Sequence, residues 1–457
     1  MSQFPSPDPR GLPAPGPAGP AAGPATATAP APRQRQAPPA GQDAATEAAR
    51  ANPPTARKPA LSTPAWLRRV LVIAVTACAV LAVASTGLLA SDRSSVTALQ
   101  ANVTQLLRIQ SIQASLLDAD VAATNAFLGT GADDAAQLAI YDAAMARASA
   151  EIVTAGRAQP ADAEALAALN QQVVLYAEAI EAARVNNRQG FQVGTAYLSD
   201  GSDALRTETM PIIQRLLEAN NDRIDAEISN LGGLGLVLAI LALAAPVTMV
   251  VLWIRLARRF RRYVNVPFAA ATVAATMAAV TLLASVGASM AMARELADHE
   301  VGALSQVSSA KGAAADAKSY ESLRLIEQSA RDSHEESWAA SAEEVESHLT
   351  GEAQALQAPW QDYVAAHQAI VEADTGGDWS AAVEIATTGQ DSGSNALFGR
   401  FIDAANALVD ELSVRVDAEL SASATWLGVA AVLTGLLGVT AAVLAAVGVN
   451  QRMKEFV

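Results

Sequence analysis

Only one cysteine, Cys78, occurs in 457 residues, and aromatic residues make up 4% of the chain. A single cysteine excludes an intrachain disulfide framework, and its place inside a long apolar run leaves no exposed thiol for nucleophilic or redox chemistry. The few aromatic residues, with no run that alternates over strand length, exclude a sandwich or barrel. Histidine is also scarce: His299, His334, His348 and His367 all fall between residues 294 and 425. His334-Glu335-Glu336 lacks the second histidine of a zinc-binding HExxH helix. No Walker-type lysine loop and no Gly-x-Ser-x-Gly turn is present. The histidines, the pair Glu335/Glu336 and the trio Glu343, Glu344 and Glu346 read as solvated helix positions. The chain is therefore expected to be no enzyme, with no catalytic, cofactor or metal site.

Proline is nearly absent beyond the leader, since sixteen of the 21 prolines lie in residues 1–64. That leader is rich in Ala, Pro, Gly and Gln and buries too little apolar surface to offset its ordering entropy, so residues 1–65 are expected to be disordered. Charge is missing from four later stretches: Val70–Ala90, Leu231–Ile254, Phe268–Ala293 and Trp426–Val449. About 20 apolar residues at ~1.5 Å each cross a ~30 Å hydrocarbon core, so each is long enough to span a membrane. The first run is too long for a signal peptide and sits behind a long leader.

Between the middle two runs lie Arg255, Arg258, Arg259, Arg261 and Arg262, with no acidic residue beside them. A short loop with that excess stays cytoplasmic, and the flanks at Arg68, Arg69, Arg452 and Lys454 agree with it. Both termini then read as cytoplasmic. The plan is a leader (1–65), a span (66–91), an extracytoplasmic segment (92–230), a span (231–254), an arginine loop (255–267), a span (268–293), a second extracytoplasmic segment (294–425), a span (426–449) and a tail (450–457). The net charge of −15 is carried outside, with −9 over residues 92–230 and −17 over 294–423. An acidic exterior excludes nucleic acid as a partner there, whereas the arginine loop suits the anionic cytoplasmic leaflet.

The two external segments read as copies. Residues 203–229 (DALRTETMPIIQRLLEANNDRIDAEIS) align without gaps on 395–421 (NALFGRFIDAANALVDELSVRVDAELS), each just before a span. Apolar residues recur at helical spacing from Val96 through Leu117, continuing the first span with no breaker. Gly129-Thr-Gly131, Pro160 with Asp162 as a cap, Gly190 and Gly201 then divide the first copy into three further helices; Gly351, Pro359 and Thr375-Gly-Gly-Asp378 mark breaks in the second. The fold class is all-α: four transmembrane helices carrying two duplicated four-helix bundles.

Polar residues inside such a bundle need a partner or a ligand, which singles out Asp118, Asp120 and Asn125 on an otherwise apolar helix. Arg184 and Arg188, four apart, are placed to hold a carboxylate, with Arg206 assisting. Residues 117–128 (LDADVAATNAFL) and 377–383 (GDWSAAV) resemble the first- and fourth-helix patterns of four-helix-bundle sensor domains in bacterial chemoreceptors and sensor kinases. The whole plan, including the loop RRYVNVPF over residues 261–268 and the tail NQRMKEF over 450–456, is similar to the GlnX-type membrane proteins of actinobacteria. That resemblance implies a relay from an external amino-acid-binding lipoprotein to a cytoplasmic serine/threonine kinase. With no cytoplasmic segment long enough to fold, output needs such a partner. A transporter is the main alternative, although the spans carry no ionisable residue, and an envelope scaffold is another. Small residues such as Gly435 and Gly438 favour close packing between spans and between protomers of a homo-oligomer.

Overall fold

A computed structural model describes residues 63–128, 132–189, 193–260, 265–388 and 392–454. The leader, the expected breaks at Gly129-Thr-Gly131 and Gly190, and Arg261 and Arg262 lie outside the described residues. Among the described residues every regular element is helical.

Helix α1 (Thr63–Leu128) runs unbroken for 66 residues, about 100 Å, from the first apolar stretch into the first helical domain. Helices α2 (Ala132–Ala158), α3 (Ala163–Arg188) and α4 (Val193–Ala204) follow. A π-helical turn, Leu205–Thr209, joins α4 to α5 (Met210–Ala242). Leu243 then forms a turn before α6 (Ala244–Phe260), because Pro246 has no N–H to bond one turn back. Helix α7 (Val266–Glu295) passes through a second π-helical turn, Leu296–Glu300, into α8 (Val301–Ile326). Helices α9 (Arg331–His348), α10 (Gln357–Thr375) and α11 (Trp379–Thr387) complete the second domain with α12 (Ser394–Lys454), which runs back through the fourth span. Four helical stretches are long and apolar enough to cross a membrane.

Several local expectations hold and two fail. Gly351 and Gly377 have φ of 58° and 87°, which suits residues without a Cβ, and Asp378 caps α11 by accepting from Ala381 N at 3.0 Å. Asp162 makes no capping bond; it ends α2's return turn as a buried carboxylate paired with Arg223 of α5 at 2.5 Å. Gly201 does not break its helix either. It is buried in α4, where an added Cβ would lie 3.2 Å from Ala179 Cβ, so the missing side chain lets α4 close onto α3.

The two domains share one core. Leu99, Val103, Leu106, Ile109, Ile112 and Leu116 of α1 are buried in the same apolar cluster as Leu304 and Val307 of α8 and Leu412 and Val416 of α12. At roughly 1.5–3 kcal/mol per buried aliphatic side chain, this packing outweighs the ~1 kcal/mol of an exposed bond such as Gln100 to Asp417. Within the spans, α12 lies against α1 through glycines: a Cβ at Gly438 would sit 2.6 Å from Ala82 Cβ, and one at Gly435 2.8 Å from Thr86 Oγ1. The small residues therefore do the packing expected of them between spans.

Candidate functional site

The polar residues of the domain interior gather along the α1–α8 seam. Asp120 is completely buried and accepts from Ser202 Oγ at 2.5 Å, Tyr176 Oη at 3.2 Å and Arg206 at 3.0 Å. Arg206 also donates through Nε to Asp316 of α8 at 2.7 Å and lies 4.7 Å over the Tyr320 ring. One guanidinium thus joins a carboxylate of the first domain to a carboxylate of the second. Although burial alone draws the Arg206 guanidinium down, Asp120 and Asp316 outweigh it and raise its pKa, so the cation is held firmly. Burial, then Asp120, pushes the Tyr176 phenol well up, keeping it a neutral donor. Nearby, Ser322 of α8 donates to Asn125 at 2.8 Å.

Arg206 sits in the π-helical turn Leu205–Thr209. Such turns carry an extra residue within a helix and are often found at functional positions. Here the turn is where α4 hands over to α5, which runs on into the second span.

The second domain holds a separate buried charge cluster. Lys318 and Glu321 are both fully buried, 2.5 Å apart, and Ser394 donates to the same carboxylate oxygen at 2.6 Å. His367 bonds Glu321 through Nδ1 at 3.1 Å and Glu335 through Nε2 at 3.4 Å, and its ring stacks on Trp338 at 3.7 Å. Arg324 bridges Glu335 and Asp374, each at 3.1 Å. Burial would raise the Glu321 pKa, yet Lys318 and His367 hold it at about 2; burial would lower that of His367, yet its two carboxylate partners raise it. His367 and Glu335 are thus not solvated helix positions. His334 bonds Glu327 at 3.1 Å and is also largely covered.

The expected grouping of Arg184, Arg188 and Arg206 does not form. Arg184 and Arg188 both turn to Glu181 on their own helix, at 3.1 and 3.7 Å, while Arg206 points into the seam. Asp118 lies apart from Asp120, facing a cavity rather than the buried network. Lys318 and Glu321 went unmarked in the sequence. Their only local signal is a Lys and Glu three apart on an alanine- and serine-rich face, a spacing that also describes an ordinary surface pair.

The basic ends of the spans are fastened to one another. Arg259 lies 4.9 Å over the Trp66 ring, and Trp66 meets Phe260 with ring centroids 6.4 Å apart, joining α1 to the end of α6. Asn265 caps α7 by accepting from Phe268 N and donates to the Gly448 carbonyl of α12 at 2.9 Å. Arg255, Arg258, Arg259 and Lys454 remain exposed there, and Arg452 is half-buried.

Residues 95–229 match the family described as Actinobacterial sensor domain. This stretch is similar to that sensor domain. The match runs from the outer part of α1 to the last turns of α5 before the second span, and it contains Asp120, Tyr176, Ser202 and Arg206. No curated protein and no solved structure matches the chain. A sensor-domain match beside four apolar helices fits a membrane sensor.

Proposed function

We propose that the protein is a transmembrane signal relay. Both helical domains lie outside the membrane, and the arginine-bearing ends of the spans lie inside. The observation that carries this reading is helix continuity: α1 and α12 each run without a break from a domain through a span, α5 runs on into its span and meets α6 at a single turn, and α8 is joined to its span through one π-helical turn. A small piston, tilt or rotation of a helix in the seam would arrive at the fastened basic ends, where Arg255, Arg258, Arg259, Arg452 and Lys454 present a docking surface.

The connection between α6 and α7 is too short to fold into an output domain, so a separate cytoplasmic protein reads the signal, and a serine/threonine kinase fits that role. The cue is amino-acid availability, reported by an extracytoplasmic solute-binding lipoprotein that contacts the span-distal turns. The basic ends also meet the anionic leaflet.

The test is crosslinking and affinity purification from the native membrane, with and without glutamate, aspartate or glutamine, followed by mass spectrometry. The relay predicts a solute-binding lipoprotein and a kinase whose recovery changes with the amino acid. Recovery of neither would contradict it and favour an envelope scaffold. Replacing Arg258 and Arg259 by Gln should leave insertion intact and abolish the downstream phosphorylation response; an unchanged response would remove the loop from the relay.

A further inference from the structure

Two cavities flank the α1–α8 seam, and the duplication relates them. The larger, about 440 Å³, lies where α1, α8 and the outer part of α12 meet Arg147 of α2. The smaller, about 220 Å³, lies where α1, α8 and α5 meet Glu344 of α9. Gln110, Gln113, Ser308 and Gly312 line both. Under the gap-free alignment of residues 203–229 on 395–421, Gln214, Glu218 and Asn221 of the smaller cavity correspond to Asn406, Asp410 and Ser413 of the larger. Aligning α1 on α8 with Asp118 opposite Asp316 sets Gln113 opposite Lys311. One shell has been built twice and charged differently.

The smaller cavity is acidic, with Glu218, Glu344 and Asp316, and Arg206 already occupies Asp316. In the larger, Lys311 and Arg147 stand beside Asp118 and Asp410, so two cations balance two carboxylates. Lys311 donates to Asn406. Burial pushes the Asp118 carboxyl up despite Lys311 and Arg147, and draws Lys311 down despite Asp118 and Asp410. Neither group is fully compensated by the other. Gln110, only 8% exposed, leaves its Oε1 without a hydrogen-bond partner. A buried acceptor in that state calls for a donor, and Gln110 borders both cavities.

We propose that the larger cavity binds a small zwitterion, with its carboxylate toward Lys311 and Arg147 and its ammonium toward Asp118 and Asp410. The volume falls in the range of small-molecule sites, roughly 300–1,000 Å³. Each pole of the solute meets opposite charge, whereas a singly charged solute would leave one pair unanswered. The acidic partner cavity rejects the carboxylate pole. This inference stands independently of the relay, because it concerns binding alone.

The test is calorimetry on the full chain in nanodiscs, titrated with L-alanine, L-glutamine and γ-aminobutyrate, and with acetate and methylammonium as single-charge controls. At least one zwitterion should bind and the controls should not. Asp410 and Arg147 are exposed, so Asp410→Asn and Arg147→Gln preserve the fold, and each should weaken binding at least about tenfold. Gln214→Ala and Glu218→Gln, in the smaller cavity, should leave it unchanged. Absence of binding by all three zwitterions at millimolar concentration, equal binding of acetate, or undiminished binding by the Asp410 and Arg147 variants would overturn the proposal.

Discussion

The two helical domains answer the same structural problem with opposite charges. Where α1 places Asp120 in the first domain, α8 places Lys318 in the second, and each is bonded by a serine at a matching position, Ser202 and Ser394. The second domain supplies its own counter-charge: Glu321 lies one turn along the same helix, backed by His367. The first domain draws its counter-charge from Arg206, whose other ion pair is with Asp316 across the seam. Its interior balance therefore depends on where the second domain sits. The aromatic residues follow the same division, since Trp360, Tyr363, Phe398 and Phe401 pack together in the second domain while the described residues of the first show a single ring contact, Tyr141–Tyr176. A charge cluster balanced within one domain thus lies beside one whose counter-charge is shared across the seam.

That contrast can be broken most severely from the second domain. Lys318→Met would leave Glu321 with His367 and Ser394 as its partners in the interior and should still cost about 3–5 kcal/mol in chemical unfolding of the full chain. A loss below ~1 kcal/mol would show that water reaches the cluster. Arg206→Met should cost about 3 kcal/mol, somewhat less because Asp316 is partly exposed, and Asp120→Asn added to it should restore part of the loss. Strict additivity of the two substitutions would contradict a direct pairing.

The pH dependence sharpens the comparison further. The folded-state pKa of Glu321 is depressed, so its contribution is present above the ordinary carboxylate value near 4.5 and is lost as pH falls toward about 2. That of His367 is raised above 6.5, so its contribution is complete below 6.5 and is lost as pH rises through the raised value. Stability of the second domain should decline on the alkaline side of 6.5, and His367→Gln should flatten that limb; an unaltered limb would assign it to another group. The smallest effect belongs to Arg184→Gln, which removes only a partly exposed pair with Glu181 and should cost about 0.5 kcal/mol or less.

The sequence read well wherever the signal was local. Uncharged length located the four apolar helices, the unbroken periodicity from Val96 through Leu117 foretold the length of α1, and Thr375-Gly-Gly-Asp378 marked a real break with a real cap. Local rules misled where tertiary contacts took over. Asp162 had the position of a cap but found Arg223, and Gly201 had the composition of a breaker but serves helix contact. Asp120 and Asn125 stood out as polar groups in apolar surroundings and Arg206 as a helper of Arg184 and Arg188, yet nothing in the linear pattern says that Arg206 bonds Asp120 and Asp316 rather than joining Arg184. Such pairings span more than 80 residues and depend on how the α4–α5 turn meets α1 and α8. His367 was misread for the same reason: its burial follows from α10 packing beneath Trp338, which no helical period reveals.

The central claim is that the seam at Arg206 is mechanically joined to the basic ends of the spans. It is tested most directly by electron–electron resonance distances between spin labels at residues 69 and 451, both exposed, in a Cys78→Ala background in nanodiscs. The account predicts that Arg206→Met shifts or broadens this distance distribution while the exposed-pair variant Arg184→Gln leaves it alone. An identical distribution for Arg206→Met and the parent would contradict the coupling.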